Sequence, residues 1–178
     1  MNKNIKPRKL NRLKGYDYSK EGYYFITVCT RKMVEWFGKI EHGKMVLNEQ
    51  GKIADKQWLE IPNYYKDVDI DKFVIMPNHI HGLLIIHNVA FERTEHCSVP
   101  TINTNEHYGL VSKIIKSFKG IVVKSIRHQW GDLDFQWQRS FYDHVIRNEK
   151  SLRNIKKYII DNPLKWELDE YNPKKFFT

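Results

Sequence analysis

Short apolar runs separated by polar turns predict where the strands lie. Residues 22–30 (GYYFITVCT) are rich in aromatic and β-branched side chains, which predicts the first strand. Residues 68–76 predict a second main strand, and a Pro-Asn turn leads from it into a third, which begins at His79. The apolar run of residues 83–86 does not alternate with polar residues, so this third strand is expected in the middle of a sheet. Because the turn is so short, the two strands should form an antiparallel hairpin.

Apolar residues at helical spacing predict three helices, over residues 49–60, 109–130 and 149–161. Asn48 precedes the first helix, and Asn148 or Ser151 begins the last; such side chains cap helix N-termini. A fourth main strand is predicted over residues 135–147, and a small hairpin over residues 36–47.

Apart from the small hairpin, the elements read strand, helix, strand, strand, helix, strand, helix. The first six match the βαββαβ order of the ferredoxin-like fold. The sequence therefore predicts an α+β protein with an antiparallel sheet, helices on one face and an extra C-terminal helix. The first strand and the strand of His79 are expected at the centre of the sheet.

The length of 178 residues fits one domain, which we expect to span residues 1–178. Residues 1–20 are a basic lead-in, interpreted either as a frayed tail or as an arm that contacts phosphates. Residues 87–108 are polar and unpatterned, which predicts a flexible loop. The tail of residues 165–178 is of mixed composition and is expected at the surface.

Charge and aromatic content favour a polyanionic partner. The net charge is +9 at pH 7, and the chain has 9 Phe, 10 Tyr and 5 Trp; basic residues interleaved with aromatic rings are typical of proteins that bind single-stranded nucleic acid. There is no apolar stretch of about 18 residues and no secretory signal, so no membrane span is expected. Cys29 and Cys97 lie far apart, which indicates no disulfide framework. We expect a cytoplasmic location.

His79 and His81 lie two residues apart at the start of the third strand. Positions i and i+2 of a strand point to the same face, and two neutral imidazoles placed side by side can share one metal ion. Taken alone, such a pair is more often structural or merely exposed. The interpretation as a metal site therefore depends on what else the chain carries.

Tyr158 is the second chemical feature, because a phenol becomes a nucleophile when nearby groups favour the phenolate. It lies on the last predicted helix, and Asn162 follows one turn later on the same helix face. Three apolar residues would anchor that helix to the core: Leu152, Ile155 and Ile159. Tyr158 would then reach the histidines over the edge of the sheet.

Three segments together carry a resemblance to a known superfamily: MPNHIH at 76–81, WQRSFYDHVIRN at 137–148 and YIIDNP at 158–163. With them the chain resembles the single-tyrosine transposases of the His-hydrophobe-His (HUH) nuclease superfamily. Within that group it is most similar to the REP-associated tyrosine transposases, relatives of the small insertion-sequence transposases. The lead-in RLKGYDY at 12–18 also resembles that branch, and the resemblance covers about residues 8–165.

The resemblance implies a metal-dependent endonuclease that nicks single-stranded DNA and transfers the strand. His79 and His81 would bind Mg²⁺ or Mn²⁺, and Tyr158 would attack a DNA phosphate to form a 5′-phosphotyrosine intermediate. Asn162 stands where insertion-sequence relatives carry a glutamine that completes the metal site. Because the asparagine is shorter, water or an acidic group is the alternative third ligand. Two other tyrosines are lesser candidates for the nucleophile: Tyr142 and Tyr171.

The partner implied by the resemblance is single-stranded DNA with a hairpin, handled in DNA transposition or REP-element processing by a monomer or homodimer. Six basic residues are candidate phosphate contacts: Arg8, Arg12, Lys14, Lys113, Lys116 and Lys119. The last three lie on the basic side of the predicted helix 109–130, a pattern that is more often a solvated face, with a phosphate-contacting face as the alternative. Two other functions stay open, a non-catalytic nucleic-acid-binding protein of the same fold and a replication-initiator-type nickase.

Overall fold

The computed structural model describes residues 16–87, 109–131 and 134–173. Within these ranges the elements are, in chain order, β1 (Gly22–Cys29), β2 (Gly38–Glu41), β3 (Lys44–Leu47), α1 (Glu49–Leu59), α2 (Ile61–Tyr64), β4 (Val68–Ile75), β5 (His79–Ile86), α3 (Leu110–Trp130), β6 (Tyr142–Ile146) and α4 (Glu149–Asp161). Two 3-10 helices accompany them, Arg31–Met33 and Pro163–Leu168. Three predicted phosphate contacts, Arg8, Arg12 and Lys14, and nearly all of the predicted loop lie outside the described residues.

Four strands form one antiparallel sheet in the order β4-β5-β1-β6, and β2 pairs with β3 in a separate hairpin. This order confirms the predicted ferredoxin-like α+β fold, with β1 and β5 at the centre. In the observed register Thr27 of β1 lies opposite His81 of β5 on one side and Tyr142 of β6 on the other. One row of side chains therefore crosses the sheet through the predicted metal site.

One face of the sheet carries the larger core, where α1 and α3 pack against alternate residues of the central strands. Gly82 of β5 lies on this face. A Cβ atom built on it would be 2.2 Å from the ring of the buried Trp58, so only glycine lets the indole lie against the strand. The strand that carries the two histidines is thereby supported from behind.

The opposite face carries a smaller core of three buried residues, Leu83, Ile146 and Ile159. α4 packs there through Ile159 and the partly buried Leu152 and Ile155, the three residues expected to anchor it. The sequence suggested that Tyr158 reaches the histidines over the edge of the sheet, whereas α4 lies directly on this face. Because side chains alternate along β5, His79 and His81 point to the same face as Leu83.

Local capping signals are confirmed at two helices. The side-chain oxygen of Asn48 accepts from the backbone N–H of Gly51, and that of Asn148 accepts from Ser151, both at 2.8 Å. The last strand is shorter than predicted, since only Tyr142–Ile146 pair with β1.

Among the described residues, no helix combines the length and apolar character that crossing a membrane requires.

The described part of the chain after α4, up to residue 173, is partly buried, contrary to the surface location expected for residues 165–178. Trp166, Asp169 and Asn172 are buried, at intervals of three residues. The side-chain amide of Asn172 donates to the Trp166 carbonyl at 3.0 Å, which ties the segment together. As a result the segment brings the carboxylate of Asp169 close to the two histidines.

Candidate active site

β5 presents His79 with one ring nitrogen already engaged, since Nδ1 lies 2.8 Å from Oδ1 of Asn78. The amide nitrogen of Asn78 donates to the carbonyls of Met33 and Tyr171, at 3.1 and 2.8 Å. Its oxygen is therefore left to accept from the N–H at Nδ1 of His79. The lone pair of His79 is then on Nε2, which is buried and has no hydrogen-bond partner among the described residues. This is the tautomer that a metal ligand needs.

His81 is held on both edges of its ring. Nδ1 lies 2.8 Å from Oγ1 of Thr27, and Nε2 lies 3.1 Å from the phenol oxygen of Tyr158. Phe25 stacks on the imidazole, with ring centroids 5.3 Å apart. The ring of His79 is the next one along the strand, with its centroid at 4.4 Å. The two imidazoles are thus neighbours on one face, as the spacing predicted.

Both histidines are neutral at ordinary pH. Burial lowers the pKa of His81 to about 3. Burial, and then the charge of His81, lowers the pKa of His79 well below its usual value. Neutral imidazole is the form that binds metal ions, so no proton has to be removed from either ring before it can act as a ligand.

Tyr158 is placed by the last turn of α4, where its side chain is 39% exposed. Burial, and then the negative charges of Asp169 and Glu170, raise its pKa to about 12, while a hydrogen bond from Asn162 acts in the opposite direction. Because the raised pKa keeps the phenol protonated, its hydrogen can be donated to Nε2 of His81, 3.1 Å away. Tyr158 is therefore a neutral phenol aimed at the histidine pair.

Asp169 is the acidic group of the site, and sequence reasoning missed it. One ligand atom each from His79, His81 and Asp169 lies within 4.8 Å of the others. The signal that could have located it is the three-residue spacing of Trp166, Asp169 and Asn172, which is typical of a helical turn with one buried side. The carboxylate corresponds to the acidic alternative to Asn162.

Asn162 is also at the site, and its side chain forms a hydrogen bond with Asp169. Its amide nitrogen donates to Oδ2 of that carboxylate at 2.9 Å. Its amide oxygen is buried and has no hydrogen-bond partner among the described residues. Asn162 therefore orients Asp169 and keeps one oxygen available to a further ligand.

These residues fit a divalent cation. The site combines two neutral imidazoles, one carboxylate and one amide oxygen, and a mixed nitrogen and oxygen donor set suits a transition metal such as Mn²⁺ better than Mg²⁺. Two of the donor atoms, Nε2 of His79 and Oδ1 of Asn162, are buried and unsatisfied within the described structure. Buried polar atoms normally have a partner, and a bound cation would supply it.

The two lesser tyrosine candidates lie close to the same site. The ring of Tyr171 has its centroid 4.7 Å from that of His79, and its backbone N–H donates to Asp169 at 2.7 Å. Tyr142 is on the edge strand β6, on the far side of Thr27 from His81. The hydrogen bond to His81 distinguishes Tyr158 from these two in the described structure.

The predicted phosphate contacts on α3 differ from one another. Lys113 and Lys116 are exposed, on the helix layer that covers the face of the sheet opposite the histidines. Lys119 is half-buried, and its ammonium donates to the carbonyls of Gln138 and Ser140 at 2.9 and 3.0 Å. Burial lowers its pKa to about 8. Lys119 thus joins α3 to the chain before β6, whereas the other two point to solvent.

The fold of this chain has a counterpart among solved protein structures. The fold is similar to that of a REP-associated tyrosine transposase solved with a bound REP hairpin, with a TM-score of 0.59 over 90% of this chain and 77% of that chain. The sequence identity is 19%, so the likeness concerns the fold. It agrees with the family resemblance seen in the sequence.

The chain also has a relative at higher sequence identity. The chain is 38% identical to an uncharacterised protein of Haemophilus influenzae over 175 residues, which is 95% of each chain. The protein belongs to the same family as this Haemophilus protein. No family model matches the sequence.

Proposed function

We propose that this protein is a metal-dependent tyrosine transposase, a single-strand endonuclease that joins itself to DNA through a 5′-phosphotyrosine link. The observation that carries the proposal is the 3.1 Å contact between Tyr158 and His81 beside a buried group of metal-ligating atoms. A fold by itself does not define an activity. A nucleophile next to such a group is, in contrast, the arrangement that metal-assisted phosphoryl transfer requires.

His79, His81 and Asp169 would hold the cation, with Asn162 orienting the carboxylate and offering its free amide oxygen. A bound divalent cation would polarise a non-bridging oxygen of the scissile phosphate. Because two of the ligands are imidazoles, we expect Mn²⁺ to bind more readily than Mg²⁺, which prefers oxygen ligands.

Tyr158 would supply the attacking oxygen. A bond forms between this oxygen and phosphorus, the bond from phosphorus to the 3′-oxygen breaks, and the 3′-oxygen leaves with a proton. Because the raised pKa keeps the phenol protonated near neutrality, its proton must depart during the attack. The phosphotyrosine link conserves the energy of the broken bond, so a second 3′-hydroxyl can reverse the step and join strands.

Phe25 would keep the reacting groups in place. Its ring stacks on His81 and meets the Tyr158 ring edge-on, with centroids 6.1 Å apart. One residue therefore restricts both the ligand and the nucleophile. Holding reacting groups in a fixed orientation is a large part of the rate enhancement in phosphoryl transfer.

The proposed substrate is single-stranded DNA next to a hairpin. The fold neighbour was solved with a REP hairpin, and the net charge of +9 favours a polyanionic partner. A flexible single strand also enters a partly buried site more readily than a stiff duplex does. Assembly as a monomer or homodimer, and the cytoplasmic location, stay predictions.

The test is to incubate the protein with labelled hairpin-bearing single strands and Mn²⁺, and to look for a covalent adduct on a denaturing gel. We expect an adduct that a chelator prevents. A protein that binds the strands but gives no adduct with Mn²⁺ or Mg²⁺ would favour the non-catalytic nucleic-acid-binding alternative.

The third ligand is tested by Asp169→Asn, which keeps the shape of the side chain and removes its charge. We expect adduct formation to require a higher Mn²⁺ concentration. Glu167→Gln, at an exposed acidic residue of the same segment, is the matched control and should leave the Mn²⁺ requirement unchanged.

A further inference from the structure

A cavity of about 410 Å³ adjoins the site, and its walls are largely aromatic. Its lining includes Phe25, Tyr142, Tyr158, Tyr171 and Glu170. The volume lies within the range of about 300–1,000 Å³ in which small organic ligands bind. The cavity therefore offers flat aromatic surfaces next to the proposed attacking oxygen.

The register of the sheet explains the position of the cavity. Thr27 lies opposite His81 on one side and Tyr142 on the other, so Tyr142 shares the face of the histidines. The small side chain of Thr27 leaves a gap between these two larger ones. β6 is an edge strand and Tyr142 is 43% exposed, so the gap is open to a strand of DNA that arrives from that edge.

We propose that this cavity binds the base of a nucleotide adjoining the scissile phosphate, with Tyr142 as the stacking surface. The inference rests on the proposed function, because that function puts a DNA phosphate at Tyr158. A nucleotide next to that phosphate has its base within a few ångströms of the cavity. Bases of single strands stack readily on aromatic side chains, and each such contact is sequence-tolerant.

Glu170 adds a chemical preference to this pocket. Its carboxylate is exposed and lines the cavity, and its charge is close enough to affect Tyr158. An ionised carboxylate only accepts hydrogen bonds, so it pairs with a base that carries an exocyclic amino group. Adenine, cytosine and guanine carry that group, whereas thymine has only carbonyl oxygens and a ring N–H on its pairing edge. The pocket should therefore prefer an amino-bearing base.

The test uses a fluorescent base analogue, 2-aminopurine, placed at successive positions of the single strand beside the hairpin. It is carried out in the Tyr158→Phe protein, which keeps the ring but cannot form a link to DNA. We expect the fluorescence to be quenched at one position on binding, and the quenching to be lost when Tyr142→Ala is added. Tyr64→Ala, at an exposed tyrosine of α2, is the control and should leave the quenching unchanged.

Cleavage by the otherwise unmodified protein gives the second readout. An abasic site at the quenched position should slow adduct formation by roughly 5- to 150-fold, the effect of losing one base–aromatic stack. In Tyr142→Ala the same abasic site should have little further effect. Glu170→Gln should reduce the discrimination between cytosine and thymine at that position.

The outcomes separate this inference from the proposed function. Quenching at no position, or equal quenching with and without Tyr142, would overturn the base pocket even if the protein forms an adduct. Quenching that depends on Tyr142 in a protein that forms no adduct with any metal would keep the pocket and overturn the transposase activity.

Discussion

The phenol oxygen of Tyr158 lies 3.1 Å from Nε2 of His81, although the two residues are 77 positions apart in the chain. α4 brings the tyrosine to β5 by packing on the smaller core of the sheet, where Ile159 is buried. Thr27 engages the other nitrogen of the same imidazole at 2.8 Å. The histidine is therefore positioned between a strand neighbour and the proposed nucleophile.

The proposed nucleophile can be tested by a single-atom change. Tyr158→Phe should remove covalent adduct formation while leaving the fold and most DNA binding intact, because binding comes mainly from phosphate contacts. Mass spectrometry of the wild-type adduct should find the nucleotide on Tyr158. Tyr142→Phe and Tyr171→Phe are matched controls that should still form it. A nucleotide found on either of those two residues would move the nucleophile away from α4.

The contact between Thr27 and His81 should matter for metal binding. Thr27→Val keeps the shape of the side chain but leaves Nδ1 of His81 without its partner, and loss of such a partner typically weakens metal affinity by about 10- to 100-fold. Titration calorimetry with Mn²⁺ measures the change. Thr30→Val is the control, since that buried hydroxyl donates to the Val34 carbonyl instead and should affect stability alone. Equal Mn²⁺ affinity in wild type and Thr27→Val would contradict the role of Thr27.

Lys119 should contribute to stability through its two carbonyl contacts. Lys119→Met leaves the carbonyls of Gln138 and Ser140 without that donor, and we expect the free energy of unfolding at pH 7 to fall by about 1–3 kcal/mol. Urea denaturation measures this free energy of unfolding. Lys116→Met, at an exposed position, should stay within about 0.5 kcal/mol of wild type.

The same lysine predicts a pH dependence. Its pKa is about 8 in the folded protein and 10.5 when unperturbed. Below pH 8 both states are protonated and the fold bears the cost of burying the charge, whereas between these two values the unfolded chain binds more protons, so that cost is relieved and the free energy of unfolding increases as pH rises. The difference in unfolding free energy between wild type and Lys119→Met should therefore grow from pH 7.5 to pH 9.5. A constant difference would mean that burial does not affect this ammonium.

Gly82 should be intolerant of a side chain. Gly82→Ala would force the new methyl group against the ring of Trp58, and overpacking of this kind costs about 1–3 kcal/mol. Gly120→Ala on α3 is the opposite case, because nothing lies within 4 Å of the added atom. There we expect stabilisation by about 0.5–1 kcal/mol from the better helix former. Thermal unfolding of the two variants should thus shift in opposite directions.

DNA binding should depend on salt, and Lys113 and Lys116 should account for part of that dependence. Each lysine that contacts a phosphate contributes about 0.7–0.9 to the slope of log affinity against log salt, so the double change to alanine should reduce the slope by about 1.4–1.8. Lys52→Ala, on α1, is the control. Lys119 should contribute little, because its ammonium already serves two carbonyls. An affinity that does not vary with salt would remove the nucleic-acid interpretation.

The strand pattern was sufficient to predict the order of the main elements and the common face of His79 and His81. Both follow from short-range geometry, since side chains alternate along a strand and asparagine caps a helix whatever the rest of the chain does. The family resemblance singled out Tyr158, and the structure brings it to His81. The face of the sheet on which α4 packs did not follow from its apolar stripe, because either face of a central strand offers apolar contacts.

The burial and the partners of Asp169 and Lys119 were decided by the tertiary structure. Their sequence surroundings are polar and mixed, which suggested a surface tail for one and a solvated helix face for the other. In the folded chain each is at least half-buried against groups distant in sequence, the carboxylate beside two histidines and the ammonium on the carbonyls of residues 138 and 140. Burial of a charged side chain is decided by which remote partners can satisfy it, and no local pattern records that choice.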